Sequence, residues 1–504
     1  MLPIKKIQIV GGGTAGWMTA NLMARRWAGS GIEISLLESP DIGIIGVGEG
    51  STPQLKAFFD AIDVDEADWM PACKATYKVG ITFRNWSEKP GFDHYFHPFP
   101  SEVDTRNFTP FVYNCFLRRQ GIDVDAHPNR YFVTARLAEQ SLGPKPDYNF
   151  PFRVLYGYHF DAHLLGEYLG RVAVQRGVRH VQGKVAEVRV GDDGAIAGLE
   201  LDDGRSVHAD LYVDCTGFRS LLLQRALGIE FEPFAANLFN DAAVVLPTPQ
   251  GPNPNSQTIS TALRNGWAWN IPLTHRVGNG YVYSSRYCSS DEAETELRSH
   301  LGLLDSDVEA RHLRMRVGQV ARHWHRNCVA VGLSQGFIEP LEATALHIVQ
   351  DTVETFMSQF EKGAGSDRHL DDFNRHVRAR FEGVRDYIVC HYRANSRTDS
   401  DYWRDNAANE NLSDSLVRIL KTWIERGDLS LEVREQDISH YYNTISWHCL
   451  LAGYGLFPDG PYRRPSSPAD SRYPLADIED YVTRCALNFR PHSEQLEAIM
   501  KPTA

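Results

Sequence analysis

What most constrains this chain is its opening, where a strand runs straight into a glycine loop. Ile4 to Val10 is short, apolar and rich in β-branched residues, which reads as a buried strand, and Gly11-Gly12-Gly13-Thr14-Ala15-Gly16 follows at once. In the spacing Gly11-x-Gly13-x-x-Gly16 the first glycine permits a tight turn. The second lets backbone approach a pyrophosphate, and the third lets the next helix pack closely on the strand. Trp17 to Trp27 is the expected helix, with its N-terminus toward the phosphates. A second strand, Ile32 to Glu38, ends in an acid twenty-two residues after Gly16, where a carboxylate can accept from ribose hydroxyls. Strand, loop, helix, strand and terminal acid in this order predict a dinucleotide-binding α/β unit.

Composition narrows the function classes. With 504 residues, 42% apolar and 23% charged, the chain is globular and long enough for two packed units. A formal charge of −12 without a long basic run argues against a nucleic-acid surface, because phosphate binding needs concentrated positive charge. No stretch reads as a signal peptide or a membrane span, so a cytoplasmic location and no membrane partner are expected. The cysteines at 73, 115, 215, 288, 328, 390, 449 and 485 are scattered, with no CxxC or ligand-like spacing; free thiols and no metal site are expected.

Two segments bear on which dinucleotide is bound. Ile45-Gly46-Val47-Gly48-Glu49-Gly50-Ser51-Thr52-Pro53 has glycines that suit close backbone approach to a ligand, or an ordinary turn. Asp210 to Asp214 reads as a strand ending in Asp214-Cys215-Thr216-Gly217. It resembles the second cofactor-contacting strand of FAD-dependent hydroxylases, and simple NAD dehydrogenases have no need of one. FAD is favoured.

Three further segments carry candidate chemistry. In Thr76-Tyr77-Lys78-Val79-Gly80-Ile81-Thr82-Phe83 a strand would put Lys78 and Gly80 on one face, and such a lysine is most often on a solvated face. In Gly266-Trp267-Ala268-Trp269-Asn270-Ile271-Pro272 alternation puts both indoles and Ile271 on one face, as an apolar wall or a packed core strand. Glu342 follows a strand at Cys328 to Val331 and a turn at Gly332 to Gly336; it is expected at the N-terminus of a helix running from Ala343, where capping is the plain alternative role.

Taken in order, these motifs resemble the flavin-dependent tryptophan halogenase family over at least residues 4–360. The carriers are the glycine fingerprint, the Gly-Val-Gly-Glu-Gly loop, the Lys78 strand running on to Trp86, the W-x-W-x-I-P strand, and the Gly332-Leu-Ser to Pro340-Leu-Glu-Ala-Thr344 run. The resemblance implies an α/β fold: a Rossmann-like flavoprotein-monooxygenase fold with a substrate-side β-sheet and a C-terminal helical region. It assigns FAD binding to Gly11, Gly13, Thr14, Ala15, Gly16, Glu38, Val47, Gly48, Val185, Leu333 and Leu346. Lys78 becomes the essential amine and Glu342 its neighbouring carboxylate. Thr344 and Ala345 become the halide site, with Ala345 standing where the family has glycine. Trp267, Trp269, Ile271 and Pro272 become the wall between flavin and substrate.

The same resemblance implies that FADH2, O2 and chloride or bromide form hypohalous acid, which Lys78 delivers to an electron-rich ring. A separate flavin reductase would supply FADH2. The setting would be antibiotic biosynthesis, and the protein a monomer or homodimer. His97 and Phe99 resemble the pair that sandwiches indole in tryptophan enzymes, with packing within a loop as the plain alternative. Tyr441-Tyr442 matches part of the constellation that holds free tryptophan, but His448 stands where the acid is expected, which favours indole or a derivative over free tryptophan. A flavin-dependent aromatic monooxygenase and a non-catalytic flavin-binding protein are the rival readings.

The anchors suggest a core at 1–360. Its FAD unit would be assembled from about 1–90, 150–225 and 310–360, with substrate-side elements at 91–149 and 226–309. Residues 361–504 would be mostly helical and complete the substrate pocket, with a proline-rich loop from Pro458 to Pro474.

Overall fold

The computed structural model describes residues 4–41, 48–147, 149–458, 464–465 and 472–501. Two compact units emerge, each built from three stretches of chain: Met1–Lys74, Phe160–Ala235 and Met315–Glu382 in the first, and Ala75–His159, Ala236–Arg314 and Gly383–Ala504 in the second. These borders differ from the expected ones. The chain leaves the first unit before Lys78, and the C-terminal helices from Gly383 onward share a unit with residues 75–159 and 236–314. Most of the proline-rich loop lies outside the described residues.

The first unit is organised by a sheet whose strand order is Arg179–Gln182, Glu33–Glu38, Lys6–Val10, Leu211–Asp214, Cys328–Ala330 and Trp324–His325. All neighbours are parallel except the last pair. A parallel sheet is covered on both faces, so its strands read as continuous apolar runs, and Ile7, Ile9 and Val10 are buried. Gln8 breaks that run and is accommodated because its side chain meets Ser35 Oγ at 2.7 Å. Helices Thr14–Arg26 and Ala345–Lys362 belong to this unit.

The second unit holds a mostly antiparallel sheet ordered Arg311–Arg314, Ala242–Pro249, Arg276–Tyr283, Gly266–Pro272, Thr258–Leu263, Gly80–Arg84 and His94–Pro98. The expected strand through Lys78 is two strands. Thr76–Lys78 pairs with residues 157–159, whereas Gly80–Arg84 joins the large sheet, so the chain changes sheets at Val79. Gly80 sits at that crossing because a Cβ there would fall 2.4 Å from the His97 carbonyl oxygen and 2.3 Å from the Phe96 ring. Among the described residues, no helix is long and apolar enough to cross a membrane.

Candidate functional site

In the first unit the glycine loop is shaped for a phosphate group. Gly11 has φ +117°, and a Cβ there would lie 2.1 Å from the Cys215 carbonyl oxygen, so the strand ending at Asp214 delivers the chain that seals the loop. At Gly16 the Cβ would meet the Gly11 oxygen at 2.0 Å, while at Gly13 it would meet nothing within 4 Å. Open space therefore lies at the start of the Thr14–Arg26 helix, which no side chain caps. Uncapped first-turn amides beside open space suit an anion, and these residues fit a dinucleotide.

The carboxylates around this loop divide their work. Glu38 folds over Gly12, whose Cβ would be 2.2 Å from its carboxyl carbon, and Glu38 Oε2 lies 3.0 Å from His180 Nε2. Asp214 is structural: one oxygen accepts from the Thr216 amide and hydroxyl, the other from the amides of Leu222 and Leu223. The turn Gly332–Ser334 meets the same helix, since a Cβ at Gly332 would touch Ala15 Cβ at 2.7 Å. That places Leu333 beside the fingerprint. Thr14 Oγ1 donates to the Ala162 carbonyl at 3.3 Å. Val185 packs against the core that contains Val10 and Leu37, Leu346 is buried, and Gly48 begins a short strand; Val47 lies outside the described residues.

Glu342 is not at a helix N-terminus. It ends a 3-10 turn, Pro340–Glu342; Ala343 then adopts φ +55°, and the helix begins only at Ala345. The left-handed residue at 343 separates Glu342 from the first turn of the helix, whose N-cap is Thr344. Glu342 and Thr344 are buried. Ala345 has ordinary helical backbone, a conformation any residue adopts, so the absence of glycine does not restrict this turn. Glu342 belongs to the first unit and Lys78 to the second.

In the second unit Lys78 is fully buried rather than solvated. Its strand register places Gly157 opposite it, so the cross-strand neighbour carries no side chain that would crowd the lysine. The Lys78 Nζ lies 5.6 Å from the Phe99 ring centroid. Burying a cationic side chain is costly, and such positions are rare without a purpose.

The tryptophan strand is buried along its length except at Asn270. Trp267, Trp269 and Ile271 are buried, and the two indole centroids stand 6.1 Å apart. Trp269 lies across Gly280 of the adjacent strand, and the Thr76 hydroxyl donates to the Pro272 carbonyl at 2.7 Å. One hydrogen bond thus joins the strand bearing Lys78 to the strand bearing the indoles.

Around His97 the unit is aromatic. His97 stands edge-on to Tyr387 at 6.0 Å; the Tyr387 hydroxyl donates to the Ser446 carbonyl at 2.9 Å, and the Tyr387 ring stacks on that of Tyr442 with centroids 3.5 Å apart. Tyr441 covers Gly383. His448 is buried against Phe111 and Trp423, with Nδ1 2.8 Å from the Thr444 carbonyl. Burial brings its pKa down to about 4, so it is neutral at pH 7. Sequence reading missed Gly157, His159, His180 and Gly280; the first three act through partners distant in sequence, and Gly280 through Trp269 on the adjacent strand.

The chain is similar to known proteins over most of its length. The family model described as tryptophan halogenase matches residues 6–467. The chain is 38% identical over 479 residues to tryptophan 6-halogenase SttH of Streptomyces toxytricini, covering 89% of each chain. It is 34% identical over 505 residues to tryptophan 7-halogenase RebH of Lentzea aerocolonigenes, covering 92% of this chain and 91% of that one. The crystal structure of SttH superposes with TM-score 0.85 at 33% identity, covering 98% and 99% of the two chains. A tryptophan C-6 flavin-dependent halogenase (chlorinase) from taromycin biosynthesis gives TM-score 0.84 at 35% identity, covering 99% and 100%.

Proposed function

Because the chain belongs to the flavin-dependent tryptophan halogenase family, we propose that it halogenates an electron-rich indole ring with hypohalous acid delivered by Lys78. The observation that carries the reading is a wholly buried lysine with Gly157 opposite it and an aromatic ring 5.6 Å away. The glycine loop, the first-turn amides of the Thr14–Arg26 helix and Glu38 would hold FAD. When bound and reduced, FAD supplies with O2 the oxidising power that turns chloride or bromide into hypohalous acid.

The chain's own groups account for the rest. The Lys78 amine hydrogen-bonds the hypohalous oxygen and polarises its bond to halogen. The ring carbon takes the halogen as a cation, the departing hydroxide takes a proton from the protonated Lys78 amine and leaves as water, and Glu342 accepts the ring proton, so the proton given up at Lys78 is matched by the one gained at Glu342. The amides of Thr344 and Ala345 hold the halide before oxidation. The indole face of Gly266–Pro272 acts by exclusion, offering bulk and no titratable group. His97 and Phe99 face the indole.

The finer reading, a ring without the amino-acid backbone, rests on His448, which is neutral and buried and so does not pair with an ammonium. The relatives do not support it, since those compared are named for tryptophan. The test supplies the enzyme with a flavin reductase, FAD, O2 and bromide or chloride, offers tryptophan and indole in competition, and reads products by mass spectrometry. A halogenated ring is expected. A hydroxylated ring would establish a monooxygenase instead, and no product would leave flavin binding alone; a preference for tryptophan would remove the finer reading.

A further inference from the structure

The strand that carries Lys78 is gripped on both edges by imidazoles. On one edge Thr76 pairs with His159, Tyr77 with Tyr158 and Lys78 with Gly157. Cross-strand partners project to the same face, so the His159 ring shares the face of Thr76 and Lys78 and stands diagonal to the lysine. On the other edge runs the segment 254–258. There the Val79 amide donates directly to the Ser256 carbonyl at 2.7 Å. Two residues earlier an imidazole bridges the two segments: the Tyr77 amide donates to His492 Nε2 at 3.1 Å, and His492 Nδ1 lies 3.0 Å from the Pro254 carbonyl oxygen.

The partners decide the protonation state of both rings. A backbone N–H only donates and a carbonyl oxygen only accepts, so His492 carries its proton on Nδ1 and keeps Nε2 bare. Protonation would set one N–H against another at Tyr77. For His159 the logic runs through a hydroxyl with a single proton. Thr76 gives that proton to the Pro272 carbonyl at 2.7 Å, so it accepts from His159 Nδ1–H at 3.1 Å. His159 Nε2 then accepts from the Thr258 hydroxyl at 2.9 Å. Both rings are fully buried. Burial first, then the charge of Lys78, holds His159 well below the usual histidine range, and burial brings His492 down to about 4 against its backbone hydrogen bonds. Neither ring adds a cation beside the lysine.

We propose that His159 and His492 are positioning residues for Lys78: two neutral imidazoles, each in the Nδ1–H form, that set the depth and direction of the amine against the tryptophan strand. His159 does so through Thr76 and Pro272, His492 by replacing a strand at Tyr77. The proposal rests on Lys78 as the delivering amine, and the experiment separates the two.

The FAD-loaded enzyme is run with a flavin reductase, tryptophan, indole and bromide as His159→Phe, His492→Leu, His492→Gln, Thr258→Val and Lys78→Met variants. Three quantities are read: flavin reoxidation rate, hypohalous acid captured by an added β-diketone, and halogenated product. His159→Phe and His492→Leu should leave reoxidation and trapped oxidant unchanged while product per flavin oxidised falls roughly tenfold to a hundredfold, the penalty of misplacing a reacting group by about 1 Å. The loss should lie in kcat rather than KM. His492→Gln offers one acceptor and one donor and should recover most of the ratio. Thr258→Val removes only the donor to His159 and should lower the ratio by a smaller factor.

Parallel loss of reoxidation and product would show a merely structural role and overturn the proposal. An unchanged product ratio would overturn it as well. Should the first two variants fail to fold, Thr258→Val decides: an unchanged ratio overturns the clamp, a lowered one sustains it. Product retained by Lys78→Met instead sinks the assignment of the lysine, whatever the histidine variants do.

Discussion

Gly280 offers a way to disturb the tryptophan strand without substituting an indole or the lysine. It stands opposite Trp269, and a Cβ built there would lie 2.1 Å from Cζ2 and 2.3 Å from Cη2 of that ring. Carbon contacts become comfortable near 3.5 Å, so Gly280→Ala is short by roughly 1.4 Å. An indole is rigid, Trp269 is only 8% exposed, and Trp267 stands 6.1 Å away, so the ring cannot yield without moving its neighbour. Overpacking of this kind costs about 1–3 kcal/mol. The clashing atoms belong to the six-membered half of the indole, which Trp269→Phe removes. In that background Gly280→Ala should cost less by at least about 1 kcal/mol, a coupling of the size expected for residues in direct contact. Urea unfolding of the four proteins measures it, with tryptophan fluorescence reporting the displaced ring. Equal costs in both backgrounds would refute the packing argument; and if the wall excludes substrate as proposed, Gly280→Ala should also raise oxidant lost per halogenated product.

Lys78→Ala should abolish halogenation while FAD still binds, which flavin fluorescence titration and product analysis test together; retained turnover would remove the lysine from the mechanism. Ala345→Gly should shift the apparent halide KM by less than about threefold, because position 345 already has helical backbone and gains nothing from glycine's freedom. Asp351 should give a pH signature. Burial alone would raise its pKa, but hydrogen bonds from His376 at 3.0 Å and Arg380 at 3.3 Å bring it from 3.8 to about 2. A folded pKa below the unfolded one stabilises at pH above about 4 and loses that contribution as pH falls toward 2, so Asp351→Asn should cost roughly 2 kcal/mol at pH 7 in urea melts, with the gap closing in acid. A gap that does not change with pH would mean the carboxylate's charge is not what stabilises.

How much of this was legible in the chain follows from how local each signal is. The glycine fingerprint is local: strand, turn and helix start occupy consecutive residues, and the Gly11 conformation needs only that spacing. The W-x-W-x-I strand is local too, since period-two alternation alone puts the indoles on one side. The start of the helix after Glu342 was misread, because an alanine at φ +55° carries no compositional signal; only asparagine, aspartate or glycine would have advertised it. The burial of Lys78 was not legible at all. It depends on Gly157 opposite, and the strand is held by His159, by segment 254–258 and by His492, none within seventy residues.

That contrast bears on what a motif does in this family. Lys78 and the Trp267/Trp269 pair are each readable as separate signatures, yet Thr76 and Pro272 tie their strands by one hydrogen bond, and that bond fixes the His159 tautomer. A substitution at Thr76 would therefore reach the lysine strand, the end of the tryptophan strand and the His159 ring together. Thr76→Ser keeps the hydroxyl and should leave product per flavin oxidised near wild type, whereas Thr76→Val, of the same shape but without the hydroxyl, leaves the Pro272 carbonyl and His159 Nδ1–H without their partner, at a cost of about 1–3 kcal/mol for each buried group. If Thr76→Val halogenates as well as Thr76→Ser, the two motifs are independent and the hydrogen bond between them is incidental to the chemistry.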